Sequence, residues 1–334
     1  MTMAPHVLSN VVVALLVAGG AAVFVFVRRR PLWRDAAQQV WRRRPVAVVA
    51  VSLYVLVALA DSIAWIGGAD VVRPRSVVDR FFPLDFQERS YSAPLATHDF
   101  IGDAPLEYPE RHLFGTDILG RDVLHMTLKG ARVALLIGGL TTLIIIPVAL
   151  LFGVSAGYFG GVVDTAVFFV MSTLASIPGI LLLTALIMVL GVGTVQVCVA
   201  LGITGWVGFC RIARGETLKL RELDYVQAAR ALGGTSPGII VRHVVPNLMH
   251  LVLITFVLTF SGLVLSEAVL SWLGLGIAGS WGQMIDQARD ELARDPVIGW
   301  NLAAASTALF GLILGVNVLG DAVRDVLDPR SRRV

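Results

Sequence analysis

Asp224, Tyr225, Gln227, Arg230, Arg242, His243 and Asn247 fall within one short stretch of a strongly apolar chain, shortly after Glu216, Lys219, Arg221 and Glu222. Their types offer ion pairs and hydrogen bonds, not bond-making. No serine, histidine and acid share the local spacing of a nucleophile with its base, and no Gly-x4-Gly-Lys-Ser/Thr loop is present to cradle a nucleotide's phosphates. The six histidines show no His-x3-His spacing that would put two metal ligands on one helix face. Cys198 and Cys210 lie in one apolar run and read as small buried hydrophobes, so neither a disulfide framework nor a metal site is expected. The chain is expected to bind no metal or cofactor of its own and to catalyse no reaction.

The elements that must position this polar island are membrane helices. Of 334 residues, 56% are hydrophobic and 15% charged, and the mean hydropathy is +0.77. That composition defines an all-α integral membrane protein. Apolar runs at 7–27, 46–66, 133–156, 165–190, 194–213, 248–272 and 299–319 each approach the roughly 20 residues that cross a hydrocarbon core. The net charge of +3 is explained by arginines beside these runs, which fits positive-inside sorting and not nucleic-acid binding. Met1 to His6 holds no Lys or Arg, whereas Arg28-Arg29-Arg30 follows the first run. That order is wrong for a cleaved signal and predicts a retained helix with its N-terminus outside.

Residues 28–44, with seven arginines, are then cytoplasmic. Trp33, Ala37, Val40 and Trp41 share a helical face there, the pattern of a short helix at the membrane surface. Alternation of the spans makes 67–132 an external loop, 211–247 cytoplasmic, 273–298 external and the tail from Asp321 cytoplasmic. Arg211, Arg214, Lys219, Arg221, Arg230 and Arg242 on the loop, and Arg324, Arg330, Arg332 and Arg333 on the tail, agree with that orientation. The expected organisation is 1–44 as the N-terminal helix and Arg-rich segment, 45–66 as the first core helix, 67–132 outside, 133–320 as a five-helix core, and 321–334 as a cytoplasmic tail.

Within the island, Glu222 or Asp224 can start a helix, with a carboxylate near its positive end. Tyr225, Ala228, Ala229 and Leu232 follow at helical spacing around Ala231, and Gly233-Gly234 stops the helix. Ala228 and Ala229 would let another surface approach closely. Pro237 begins a second segment, and Pro246 suits a bend at the entry to the next span. A loop of about 35 residues is far longer than a simple helix connection requires. Two readings remain: an amphipathic hairpin on the lipid surface, or a docking element for a protein groove.

Gln227-Ala-Ala-x3-Gly233, followed by His243-Val-Val-Pro246, resembles the EAA loop of ABC importer permeases. Asp224-Tyr-Val-Gln-Ala-Ala-Arg-Ala-Leu-Gly233 and Arg242-His-Val-Val-Pro-Asn247 are closest to the second (C-type) permease subunit of dipeptide/oligopeptide/nickel importers. Four further segments fit in order: His112-Leu-Phe-Gly115-Thr116-Asp117 with Gly120-Arg121-Asp122; Ala156 to Gly161 with Asp164; Leu270 to Gly276 with Trp281-Gly282; and Asn317 to Arg330. The resemblance spans about Trp41 to Arg330.

The resemblance implies a six-helix type I permease core, with 7–27 as one extra N-terminal transmembrane helix. It implies that 211–247 is the coupling loop docked in an ATPase subunit. It further implies a sister permease, two ATP-binding subunits or one fused ATPase carrying ATP and magnesium, and an external substrate-binding protein. Short peptides are the cargo it points to first, with nickel chelates or haem as alternatives. Gln227 stands where the family pattern has Glu. Phe169 and Ser172 replace an Arg and an Asp usual in the third core span, which leaves no orphan charge in the membrane.

Outside the loop, Gly115 permits a turn, Thr116 or Asp117 can cap a helix, and Arg121 and Asp122 can anchor it at the outer face. Glu267 is a candidate for the path, with helix-end packing as its alternative, and Trp281 belongs to the last external loop. A stand-alone secondary transporter would be expected to carry midplane charges and internal repeats, neither of which is evident. A membrane scaffold using 67–132 is the third class considered.

Overall fold

The computed structural model describes residues 31–66, 75–82, 88–100 and 104–327. The expected span at 7–27 and the ending at Asp328-Pro329-Arg330 lie outside these residues. Among the described residues five helices are long and apolar enough to cross a membrane, and a bent pair makes a sixth span if counted as one.

Proline positions explain two of the breaks. Helix α1 (Pro31–Arg43) begins with Pro at its first position, where no amide hydrogen bond is lost. Arg44 precedes Pro45 and leaves helical geometry at φ −138°, ψ 59°, which separates α1 from α2 (Pro45–Ser62). The expected span 165–190 is broken in the same way. Ile177, before Pro178, is extended at φ −89°, ψ 131°, and α5 (Gly161–Ser176) meets α6 (Gly179–Leu190) at 91°.

Between these, after a two-stranded antiparallel ribbon of β1 (Ala64–Ile66) and β2 (Arg75–Ser76), comes the short α3 (Val77–Phe81). Ser76 and Asp79 form a reciprocal cap at its start. Helix α4 (Val123–Phe159) starts ten residues earlier than hydropathy places it, because its first turns are polar yet packed. Its 37 residues extend about 55 Å, well beyond a hydrocarbon core.

Then come α7 (Thr194–Leu220), α8 (Asp224–Ala231), α9 (Ser236–Ile239), a π-helical turn at Ile240–Val244 and α10 (Val245–Leu270). A second π-helical turn (Ser271–Leu275), α11 (Trp281–Leu292) and α12 (Trp300–Leu327) complete the order.

The chain forms two compact units. One comprises residues up to Leu135 together with Ser266 onward. In it α2 lies along α12, where the Tyr54 hydroxyl donates to the Ala308 carbonyl at 2.9 Å. Helix α1 does not merely rest on lipid. Its Val40 is buried with Ala322 and Val326 of α12, while Trp41 remains exposed. The other unit, Leu136–Leu265, contains the polar island. Its core beneath the island is Val154 and Tyr158 of α4, Leu220 of α7, Val226 of α8, Ile239 of α9, and Val244 and Leu248.

Candidate functional site: the 221–247 loop and the 112–125 polar segment

Helix α8 starts at Asp224, with Leu223 as its extended N-cap, so the acid stands in the first turn, where the helix dipole favours it. It ends as the glycines predict. Gly233 lies at φ +84°, a left-handed conformation that costs a residue with a Cβ. Gly234 N–H donates to the Ala229 carbonyl and Gly233 N–H to the Arg230 carbonyl, both at 3.0 Å, the paired closure of a Schellman cap.

The helix is two-faced. Val226 is buried in the unit's core, and Ala229 packs partly against it. Tyr225, Ala228 and Leu232 face outward, and Leu232 is 88% exposed. The expected single face of Tyr225, Ala228, Ala229 and Leu232 is therefore divided. Ala229 serves a close approach by the chain's own core, and Ala228 stays with the open side.

Polar side chains fasten the loop from below. Arg221 donates from Nη1 to the Gly157 carbonyl at 3.0 Å and pairs with Glu222. The Arg230 guanidinium lies 5.4 Å from the Tyr158 ring centre, a cation–π contact with α4. Asn247 Nδ2 donates to the Tyr225 hydroxyl at 3.1 Å and to the His243 carbonyl at 2.6 Å, and the Tyr225 and His243 rings are 6.0 Å apart. These contacts bring together Tyr225, His243 and Asn247, which sequence spacing alone leaves far apart. Arg242, Ala231 and Pro246 are exposed beside them. Behind the loop, Arg214 of α7 grips Asp164 of α5 through two guanidinium nitrogens, Nη2 to Oδ2 being 2.7 Å.

Gln227 has a role of its own. Its Nε2 donates to the Arg221 carbonyl at 3.0 Å, closing the turn between α7 and α8. A glutamate at that position would have no hydrogen to give at neutral pH, so this bond depends on the amide.

The polar segment at 112–125 in the other unit is built differently. Asp117 is fully buried. Arg121 donates to its Oδ2 from Nε at 2.8 Å and Nη2 at 2.6 Å, and the amides of Leu119 and Arg121 donate to its Oδ1. Asp117 therefore closes its own turn. The cap of α4 is Asp122, whose Oδ1 accepts from the His125 amide at 3.0 Å and whose Oδ2 meets His112 Nδ1 at 2.8 Å. Thr116 is no cap either. Its hydroxyl and carbonyl take up the Ser92 amide and the Trp300 indole. Gly115 makes the expected turn at φ +74°.

Nearby, Asp61, Asp79, His125, Lys129 and Arg132 form an ionic network joining α2, α3 and α4. Burial pushes the Asp79 carboxyl up. Hydrogen bonds from His125, Lys129 and the Ser76 amide outweigh that and hold it well below the usual carboxylate range. This network was not legible from spacing, because its members come from three separated segments.

The Glu267 carboxylate is buried and accepts the Ser271 hydroxyl at 2.7 Å. Trp281 is also buried. Its indole donates to the Thr127 carbonyl at 2.7 Å, and its ring stands edge-on to Tyr54. Both side chains organise the packing between α10, α11 and α4's first turns.

A nearly all-helical fold with a two-faced polar loop between membrane-length helices is that of an importer permease. Residues 149–333 match the family described as "Binding-protein-dependent transport system inner membrane component". The chain belongs to this family of multi-pass inner-membrane permeases.

Among similar proteins, the oligopeptide transport system permease protein OppC of Bacillus subtilis (strain 168) is 32% identical over 306 residues, covering 90% of this chain and 91% of that protein. The glutathione transport system permease protein GsiD of Pectobacterium atrosepticum is 31% identical over 308 residues, covering 91% and 93%. The dipeptide transport system permease protein DppC of B. subtilis is 36% identical over 225 residues, 66% of this chain and 70% of that protein.

Proposed function

We propose that the chain forms half of the translocation path of an ATP-driven importer of short peptides and receives the power stroke through the loop expected at 211–247, whose part beyond α7 starts at Arg221 because α7 runs on to Leu220. The observation that carries this reading is the two-faced helix α8. Val226 and Ala229 anchor it in the membrane unit, while Ala228 and Leu232 are open to a partner beside Tyr225, which Asn247 holds by its hydroxyl and which is still exposed. A lipid-surface hairpin would turn its apolar face to the bilayer and its charges to water. Here the inward side is the chain's own core, and the open face is small and apolar between charges, as a protein groove prefers.

In the mechanism, a sister permease completes the path, and partner ATPases, two subunits or one fused chain, bind ATP and magnesium. Their closure pushes α8 as a rigid body against α4, α7 and the start of α10, through Tyr158, Leu220 and Leu248. Moving an access equilibrium from 1:99 to 99:1 takes about 5.5 kcal/mol of differential binding. The exposed ion pairs Lys219–Glu216 and Arg221–Glu222 are too weak to supply that, so packing must transmit it. An external binding protein delivers the cargo. The tail from Asp321 and the loop at 221–247 lie on the cytoplasmic side and the N-terminus outside. Oligopeptide, dipeptide and glutathione in the relatives' names support a peptide cargo.

Uptake of labelled di- and tripeptides into a deletion strain complemented with this chain tests the reading. Unlabelled peptides and glutathione should compete, whereas nickel chelates and haem should not. Competition by haem or nickel alone would reassign the cargo. Purification of the chain without a sister permease and ATPases would overturn the importer reading.

A further inference from the structure

The junction of α11 and α12 holds a polar pair that transport through the 221–247 loop does not use. Glu291, in the last turn of α11, is 1% exposed, and Asn301, in the first turn of α12, is fully buried. Asn301 Nδ2 donates to Glu291 Oε1 at 3.2 Å and to the Met284 carbonyl at 3.3 Å. Those two acceptors fix the amide's orientation, since the flipped amide would set oxygen against oxygen twice.

In this orientation Glu291 Oε2 and Asn301 Oδ1 are both buried without a donor, and so is Gln287 Oε1 one turn earlier on α11. An ionised carboxylate only accepts, and would leave all three oxygens orphaned in a site that water does not reach. One proton on Oε2 changes the balance. The acid becomes a donor, and the oxygen of the amide already bonded to Oε1 is a buried acceptor that lacks one. A cyclic acid–amide pair would satisfy both of these oxygens, leaving Gln287 Oε1 as it was.

We infer that Glu291 is a proton-binding site, un-ionised where exposed glutamates are charged, and that the protonated acid latches α11 onto α12 through Asn301. The charged groups around it fit. Burial pushes its carboxyl above the ordinary range, the Asn301 donor and Arg294 pull it back, and the Asp117 carboxylate pushes it further up. Arg121 already occupies Asp117, and Arg294 lies over the Tyr91 ring at 4.8 Å. Asp290, next to Glu291 on α11, is exposed and faces Arg289. Helix α12 brings no charge until Asp321 near its far end. A raised folded-state pKa means that the latch contributes fully below the ordinary glutamate value. Its contribution is lost as pH rises through the folded-state value.

The test uses the permease complex purified in detergent. Infrared difference spectra between wild type and Glu291→Gln should contain the carbonyl stretch of a protonated carboxyl, disappearing as the medium is made alkaline. The wild-type melting temperature should fall as the medium is made alkaline, and fall further than that of Glu291→Gln, whose amide N–H replaces the acid O–H. If that variant does not accumulate, Asn301→Ser serves instead, and should shift the carbonyl band by removing the amide partner. No protonated-carboxyl band at neutral pH overturns the proposal. So does stabilisation of wild type at alkaline pH by added sodium, potassium or calcium that Glu291→Gln does not share, because the orphaned oxygens would then be cation ligands.

Discussion

The 221–247 loop and the segment at 112–125 are both polar excursions from apolar helices, yet they dispose of their polar groups in opposite ways. In the 112–125 segment Asp117, Thr116, Asp122 and His112 all bond within the same unit, three of them buried and Asp122 half-buried. In the loop Asp224, Tyr225, Gln227, Ala228 and Leu232 are exposed; Tyr225 and Gln227 are each held by one hydrogen bond, and Ala228 and Leu232 lie open. A self-satisfied segment has its energy in its own fold. An open face on a fastened base has its use in something that binds it.

The contrast can be broken from either side. The largest effect is expected at Asp117. Asp117→Ala removes a fully buried carboxylate and leaves the Leu119 and Arg121 amides without their acceptor, while Arg121 can still reach water, for a loss on the order of 2–4 kcal/mol. Thermal unfolding of the purified complex should show a much lower midpoint, and membranes should hold less of the chain. Second is Leu232→Asp. Since this side chain is 88% exposed, folding stability should change by less than about 0.5 kcal/mol. Peptide uptake should nonetheless fall on the order of tenfold, the worth of about 1.4 kcal/mol of lost contact, with less ATPase retained on purification. A variant that unfolds the chain would mean that the open face is structural after all.

The smallest effect is expected at Gln227. Gln227→Glu removes one exposed hydrogen bond to the Arg221 carbonyl, worth about 0.5–1.5 kcal/mol at most. Stability should dip slightly in thermal scans and uptake should stay within about twofold, a change of less than about 0.5 kcal/mol. A large gain in ATPase binding would show instead that the carboxylate matters to the partner and that Gln227 weakens it.

What could be read from the sequence follows from how local each cause is. Asp224 and Gly233-Gly234 mark the ends of α8 correctly, because start and stop signals act within a few residues. The inward turn of Val226 and Ala229 was not legible, since it depends on Tyr158 and Leu248 from distant helices. Pro178 carried the signal for the break between α5 and α6, but the unbroken apolar run around it masked that signal. Asp122 caps α4 in place of Thr116 or Asp117 because those two are drawn into contacts with Ser92, Trp300 and Arg121. Glu291 and Asn301 meet only because a loop returns α12 against α11, and nothing in their spacing announces it.

Site-directed cross-linking from Leu232→Cys addresses the central claim most directly. The native Cys198 and Cys210 are buried and should stay silent. In intact cells the introduced thiol should resist a membrane-impermeant maleimide, and in the assembled complex it should cross-link to an ATPase subunit. Labelling from outside the cell, or a complex in which the thiol reacts freely and cross-links to no ATPase, would contradict the account.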